Sequence, residues 1–147
     1  MTPQKHLLEF HEKFDLARLT FFENSHWIMS VRPEQLTLGS MVVSSREGLL
    51  HFQDLGPEHG ADLTYSLGLA EKLARKNLGA VRINVICLMM VDPVVHFHII
   101  PRYQEVIERF GTVWEDKDWP GPPVFRKAET SREVQNALVK ELLKQVQ

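Results

Sequence analysis

The sequence predicts an α+β fold, an antiparallel sheet of about five strands with helices packed on it. Three observations lead there. Short runs rich in β-branched and aromatic residues, such as Trp27 to Arg32 and Val94 to Tyr103, read as strands. Apolar residues recur at helical spacing near both termini and across residues 57–78. Only Asp92-Pro93 separates the run Val81 to Val91 from the one starting at Val94. So short a link admits an antiparallel hairpin and no parallel crossover.

In chain order, Thr2-Pro3 reads as N-cap and first helical position. Leu7, Phe10, Phe14 and Ala17 then predict an amphipathic helix over about residues 3–14, with His6 and His11 off the stripe. Leu16 to Phe22 and Trp27 to Arg32 read as two strands around a turn at Glu23-Asn24-Ser25. Phe21, Phe22 and Trp27 are expected to pack in the core rather than to stack on a base. A third strand, Leu38 to Ser44, follows the Pro33-Glu34-Gln35 turn, and residues 45–56 show no pattern. Gly56-Pro57 opens a helix whose stripe is Leu63, Leu67, Ala70, Ala74 and Leu78, with Gly79 as its C-cap. The hairpin at 81–103 comes next. Residues 104–127, with Trp114, Trp119 and Pro120-Gly121-Pro122-Pro123, have no usable period. Thr130-Ser131-Arg132-Glu133 matches a capping box ahead of a helix at about 130–146.

At 147 residues the chain suits one domain, 1–147, with a core at about 1–104 and a C-terminal extension. It is 44% hydrophobic and 24% charged, ordinary for a soluble globular protein. A net charge of −2 supplies no basic field, so nucleic acid is not an expected partner. Cys87 is the only cysteine, which rules out an internal disulfide and suits a reducing cytoplasm. The N-terminus leads into a charged amphipathic segment, so no secretory signal is expected. The run Val85 to Val91 is far short of the roughly 20 residues a bilayer needs, so no membrane is expected.

The chemistry is concentrated at Val94-Val95-His96-Phe97-His98-Ile99-Ile100-Pro101-Arg102-Tyr103. In a strand, His96 and His98 share one face, about 6.7 Å apart along the chain. Val94, Ile100 and Arg102 fall on that face, while Val95, Phe97 and Ile99 make the other, apolar one. Imidazoles near neutral pH serve as nucleophile, acid/base or metal ligand. A structural histidine pair and a metal site are the alternatives on residues alone. The metal reading needs a third ligand from His26, His51, His59 or Asp92. With a straight two-residue turn, Cys87, Met89 and Val91 would flank the histidines and Asn84 would face away.

The stretch resembles the histidine triad family signature, H-φ-H-φ-H-φ-φ followed by Pro-Arg. Its triad positions fall at Val94, His96 and His98, so valine stands at the first. Upstream, His26 to Pro33 and Leu38 to Val43 resemble two strands of the family joined by a turn, with Ser40 where many members have histidine. The Gly-rich loop before the triad has no counterpart in the two residues Asp92-Pro93. The resemblance implies a HIT-like α+β homodimer in which His96 attacks the α-phosphorus of a purine nucleoside phosphate or dinucleoside polyphosphate. A nucleotidyl-histidine would form, with His98 orienting and polarising the site. It places Ser30 and Arg32 where the family lines its base and ribose pocket, and it implies neither metal nor other cofactor. On the residues alone, the Ser40 hydroxyl is a candidate phosphate contact, and the Arg102 guanidinium suits either a phosphate or a surface salt bridge. A valine at the first position implies an enzyme slower by roughly one to three orders of magnitude. The alternatives are a protein that binds nucleotides without turnover and a metal-dependent hydrolase using His96 and His98.

Overall fold

The structure is a computed structural model that describes residues 3–147, so the expected N-cap Thr2 lies outside it. Its centre is a five-stranded antiparallel sheet in the order β1-β2-β3-β5-β4. The strands are β1 (Thr20–Glu23), β2 (Trp27–Val31), β3 (Met41–Ser45), β4 (Arg82–Ile86) and β5 (His96–Arg102). Four helices flank it: α1 (Pro3–Lys13), the single turn α2 (Leu16–Leu19), α3 (Pro57–Lys72) and α4 (Arg132–Val146). The α+β architecture agrees with the sequence, including the number of strands.

Strand parity sorts the side chains into two layers. Met29, Val31, Met41, Val43, Val95 and Ile99 pack against Ala70, Leu73 and Ala74 of the α3 region and Leu138 and Leu142 of α4. The opposite face is covered by α1 and the turn that follows it, where Phe10 and Phe14 cluster with Leu16, Ile28, Val42 and Val94. Burying such side chains is worth roughly 1.5–3 kcal/mol each, which explains why α1 lies flat on the sheet. That second face carries His96 and His98.

Four local expectations are corrected. Leu16 to Leu19 is helical rather than strand, because Asp15 turns the chain at φ 50° and its carbonyl accepts from the N–H groups of Arg18 and Leu19. Arg18 also donates to the Asp15 carboxylate at 2.8 Å. The strand expected over 81–91 ends at Ile86. Residues 87–95 form an irregular loop, with Met89 at φ 51°, so the link to β5 is far longer than two residues. The β4–β5 pairs are Ile86 with His98 and Asn84 with Ile100, one residue out of the register that a tight turn at Asp92-Pro93 would impose. A one-residue slip exchanges the faces, so Asn84 and Ile86 share the histidine face.

The stretch without a visible period holds a short hairpin, β6 (Ile107–Arg109) and β7 (Thr112–Trp114), turning on Phe110 and Gly111, both at positive φ. The α4 cap is Ser131, whose Oγ accepts from the Val134 N–H at 3.2 Å. Thr130, the other candidate, instead accepts from the Gln35 N–H at 2.9 Å and ties the extension to the β2–β3 turn.

Candidate functional site

His96 and His98 stand side by side on β5 with ring centroids 5.0 Å apart. Both are buried, 2% and 7% exposed. Three aromatic rings close over them. Phe10 meets His96 edge-on at 5.1 Å, Phe14 lies 5.9 Å from His96 and 6.3 Å from His98, and Phe125 of the C-terminal segment meets His98 at 5.3 Å. Beyond Phe14, Lys13 pairs with Asp92 of the loop before β5 at 2.8 Å. The histidine face is therefore covered, and both imidazoles lie in the interior beneath these side chains.

The two rings are held differently. His96 Nδ1 lies 2.6 Å from the Val94 carbonyl. A carbonyl only accepts, so Nδ1 carries the proton and Nε2 keeps the lone pair in the neutral ring. The Val94 side chain packs against α1, and its backbone oxygen orients His96, a task any residue at this position performs. Burial pushes the His96 imidazole below its ordinary value, opposed in part by the Val94 carbonyl. Burial, then the neighbouring His96 and Arg32, brings His98 down to about 4. Its Nδ1 is buried without a hydrogen-bond partner.

Three more buried polar atoms share that condition: Ser30 Oγ, Ser44 Oγ and Arg32 Nε. Ser44 pairs directly with His96 across β3 and β5, and Ser30 pairs with Val42, itself the partner of His98. Arg32, just beyond β2, puts its guanidinium 5.4 Å from the Phe125 ring and donates to the Glu34 carbonyl at 2.7 Å. Burial lowers its proton affinity, with Glu34 opposing. Unpartnered donors thus gather on the histidine face beneath an aromatic cover.

Two other sequence candidates are occupied. The Ser40 Oγ donates to the Thr37 carbonyl at 2.8 Å and accepts from the Thr37 N–H at 3.1 Å, so its hydroxyl closes the β2–β3 turn. Arg102 spends its guanidinium on Asp116 at 2.7 Å, Asn84 at 2.7 Å and the Gly121 carbonyl at 2.7 Å. Beside it, an open cleft is lined by Arg82, Val85, Trp119 and Pro120 and does not include the histidines.

No protein-family profile and no curated protein matches the chain. Solved structures do. A histidine triad protein from Sinorhizobium meliloti superposes with a TM-score of 0.70 at 18% identity, over 90% of this chain and 93% of that one. A hypothetical histidine triad nucleotide-binding protein from Sulfolobus tokodaii gives 0.67 at 16% identity, over 92% and 88%. The diadenosine triphosphate hydrolase of Plasmodium falciparum, solved with cyclomarin A, gives 0.66 at 14% identity, over 88% and 76%. This chain has the histidine triad fold.

Within that fold, the metal candidates His26 and His59 lie away from the β5 histidines. They gather with Glu47, the three offering ligand atoms within 4.8 Å of one another, and no third metal-ligating group joins His96 and His98 among the described residues. His59 Nδ1 accepts from the Gly56 N–H at 3.0 Å, which leaves its Nε2–H to Glu47 at 2.9 Å, while His26 Nδ1 faces Asp62 at 2.7 Å. The cluster is internally satisfied around the start of α3. No helix among the described residues is long and apolar enough to cross a membrane.

Sequence reasoning missed Ser44, Phe10, Phe14 and Phe125 as parts of the site. The parity of β3 carried a signal for Ser44, since Val42 and Ser44 alternate with Met41 and Val43 of the core face. Phe125 had none, lying far from β5 in sequence with no period around it.

The depressed histidines set a pH dependence. Between about pH 4 and 6.5 the unfolded chain binds protons that the folded His98 refuses. Stability is therefore full above about pH 6.5 and falls as the pH drops through that window, by roughly 3 kcal/mol at full extent. Thermal unfolding from pH 7.5 to 4.5 should show this slope, and His98→Phe should flatten it. An equal slope in the variant would assign the effect to other groups.

Proposed function

We propose that this protein binds purine nucleoside phosphates or dinucleoside polyphosphates and cleaves or transfers them at the α-phosphate through His96. The observation that carries the reading is the bond from His96 Nδ1–H to the Val94 carbonyl. It fixes the proton on Nδ1, and burial, which lowers the proton affinity of the ring against the pull of that bond, leaves the Nε2 lone pair available at pH 7. Nε2 attacks the α-phosphorus, a P–N bond forms, and the P–O bond to the leaving phosphate breaks with its electron pair. The positive charge on the phosphorylated ring is met by Val94 O at Nδ1–H. Water then attacks the same phosphorus, the P–N bond breaks with its electron pair returning to Nε2, and the proton lost by the water passes to solvent, which leaves the imidazole neutral. His98, neutral at pH 7, orients the transferring group, and Arg32 and Ser30 supply donors to its oxygens. Ser40 and Arg102, both saturated, act by holding the β2–β3 turn and the C-terminal segment in place.

Substrate reaches His96 when α1 lifts. Phe10, Phe14 and the Lys13–Asp92 pair hold that helix over the rings. The closed cover favours a second reading, a nucleotide-binding protein with little turnover. Acid quench of the protein mixed with α-phosphate-labelled diadenosine triphosphate separates the two. A labelled protein adduct supports His96 chemistry, and tight binding with no adduct supports binding alone.

The same reading includes a homodimer. β4 is an outer strand of the sheet and presents unpaired backbone groups. Around it Val81, Val85, Leu88 and Val91 are exposed, and Met90 is 86% exposed. A second copy adding its β4 alongside would satisfy the edge and bury these side chains. Sedimentation of the wild type should give twice the chain mass, and Val85→Lys should shift it toward the monomer. A wild-type monomer at tens of micromolar would end the dimer proposal.

A further inference from the structure

Ser44 stands opposite His96 in the β3–β5 ladder, on the same face of the sheet, and is 1% exposed. Its hydroxyl has no hydrogen-bond partner. A buried orphan hydroxyl destabilises a fold, and a valine would suit a strand core better. Ser30 Oγ and His98 Nδ1, also orphaned, lie on the same face, and Arg32 Nε, the remaining orphan, belongs to a guanidinium that shares the Phe125 ring with His98. Arg32 Nε–H is a donor in every state, a serine hydroxyl rotates to donate, and His98 Nδ1 donates in one tautomer. Orphan polar groups along one face, Ser44 beside His96 and Ser30 and Arg32 toward His98, describe a lining for an anion with several oxygens.

We propose that Ser44 is a phosphate-contacting residue of this site, donating its hydroxyl to a non-bridging oxygen of the phosphoryl group that His96 attacks. The inference rests on the nucleotide reading given above and adds a residue to it. Cross-strand partners hold their Cβ atoms about 4.5–5.5 Å apart, so Ser44 and His96 address the same phosphorus from neighbouring strands. A phosphate oxygen supplies the acceptor that no protein group gives this hydroxyl, so Ser44 trades stability of the fold for affinity.

The test uses the full-length protein and compares adenosine 5′-monophosphate with adenosine by calorimetry, for wild type and Ser44→Ala, together with the melting temperature of each free protein. The expected result is an alanine variant at least as stable as wild type, with the monophosphate bound roughly 10- to 100-fold more weakly and adenosine bound as before. Ser44→Thr, which keeps the hydroxyl, should recover much of the loss. An unchanged monophosphate affinity, or a loss shared equally by adenosine, overturns the role of Ser44 and leaves the nucleotide reading standing. A wild type that binds neither compound overturns both.

Discussion

Replacing His96 by alanine is expected to abolish the labelled protein adduct and to lower turnover on the order of 10⁴-fold or more, the scale seen when a covalent nucleophile is removed. The other groups on that face are poorer candidates: Ser30 and Ser44 are un-ionised hydroxyls, and His98 has no acceptor at Nδ1 to meet the charge that attack would place on its ring, as Val94 O does for His96. His98→Ala should cost less, about 10²- to 10³-fold, because it withdraws a positioning and polarising group and leaves the attacking atom in place. His96 is buried under Phe10 and Phe14, so its truncation also leaves a cavity. His96→Asn serves as control, since its amide N–H can still meet the Val94 carbonyl. The two variants should match in turnover whatever their difference in melting temperature. Adduct surviving in either one would remove His96 from the chemistry. If α1 gates access, Phe14→Ala should speed adduct formation in the wild-type background. A slower reaction there would make the aromatic cover part of the binding site instead.

The elements legible in the sequence were those whose signal is local. The α3 stripe from Leu63 to Leu78, the Gly79 stop and the alternation of β5 each depend on a few neighbouring residues, and each stands where it was expected. What failed was register. The apolar run from Val85 to Val91 has the composition of a strand, yet its last residues are exposed in a loop, and composition does not say where pairing stops. The resulting slip by one residue moved Asn84 to the histidine face, where it meets Arg102. The histidine pair was legible as chemistry because its spacing places both rings on one face. Its cover was not, because the contacts of Phe10, Phe14 and Phe125 span long stretches of chain. The amphipathic stripe of α1 announced a buried side without naming the surface that would bury it.

Arg102 illustrates how such a distant contact alters a functional assignment. Parity and the Pro-Arg ending offered it as a phosphate ligand. The folded chain gives it a carboxylate partner, Asp116, with side chains 4% and 2% exposed, and the same carboxylate accepts from the Tyr103 N–H at 3.1 Å. The Trp119 ring lies 5.9 Å from the guanidinium carbon, so the pair also anchors the segment that carries Phe125 toward His98. Removing one member of a buried ion pair strands the other charge, which costs about 3–5 kcal/mol. Arg102→Ala should therefore lower the melting temperature by roughly 10 °C or more. Arg102→Lys should recover little of it, because an ammonium cannot reach Asp116, Asn84 and Gly121 with one planar fork. The double variant Arg102→Met with Asp116→Leu should be more stable than Arg102→Ala alone, since it leaves no uncompensated charge. A phosphate ligand behaves in the opposite way: its loss would spare the melting temperature and weaken adenosine monophosphate binding, and the double variant would bind no better than the single one. Melting curves and monophosphate titrations on these three proteins decide between the two roles, and a stable Arg102→Ala protein with lost binding would return Arg102 to the phosphate.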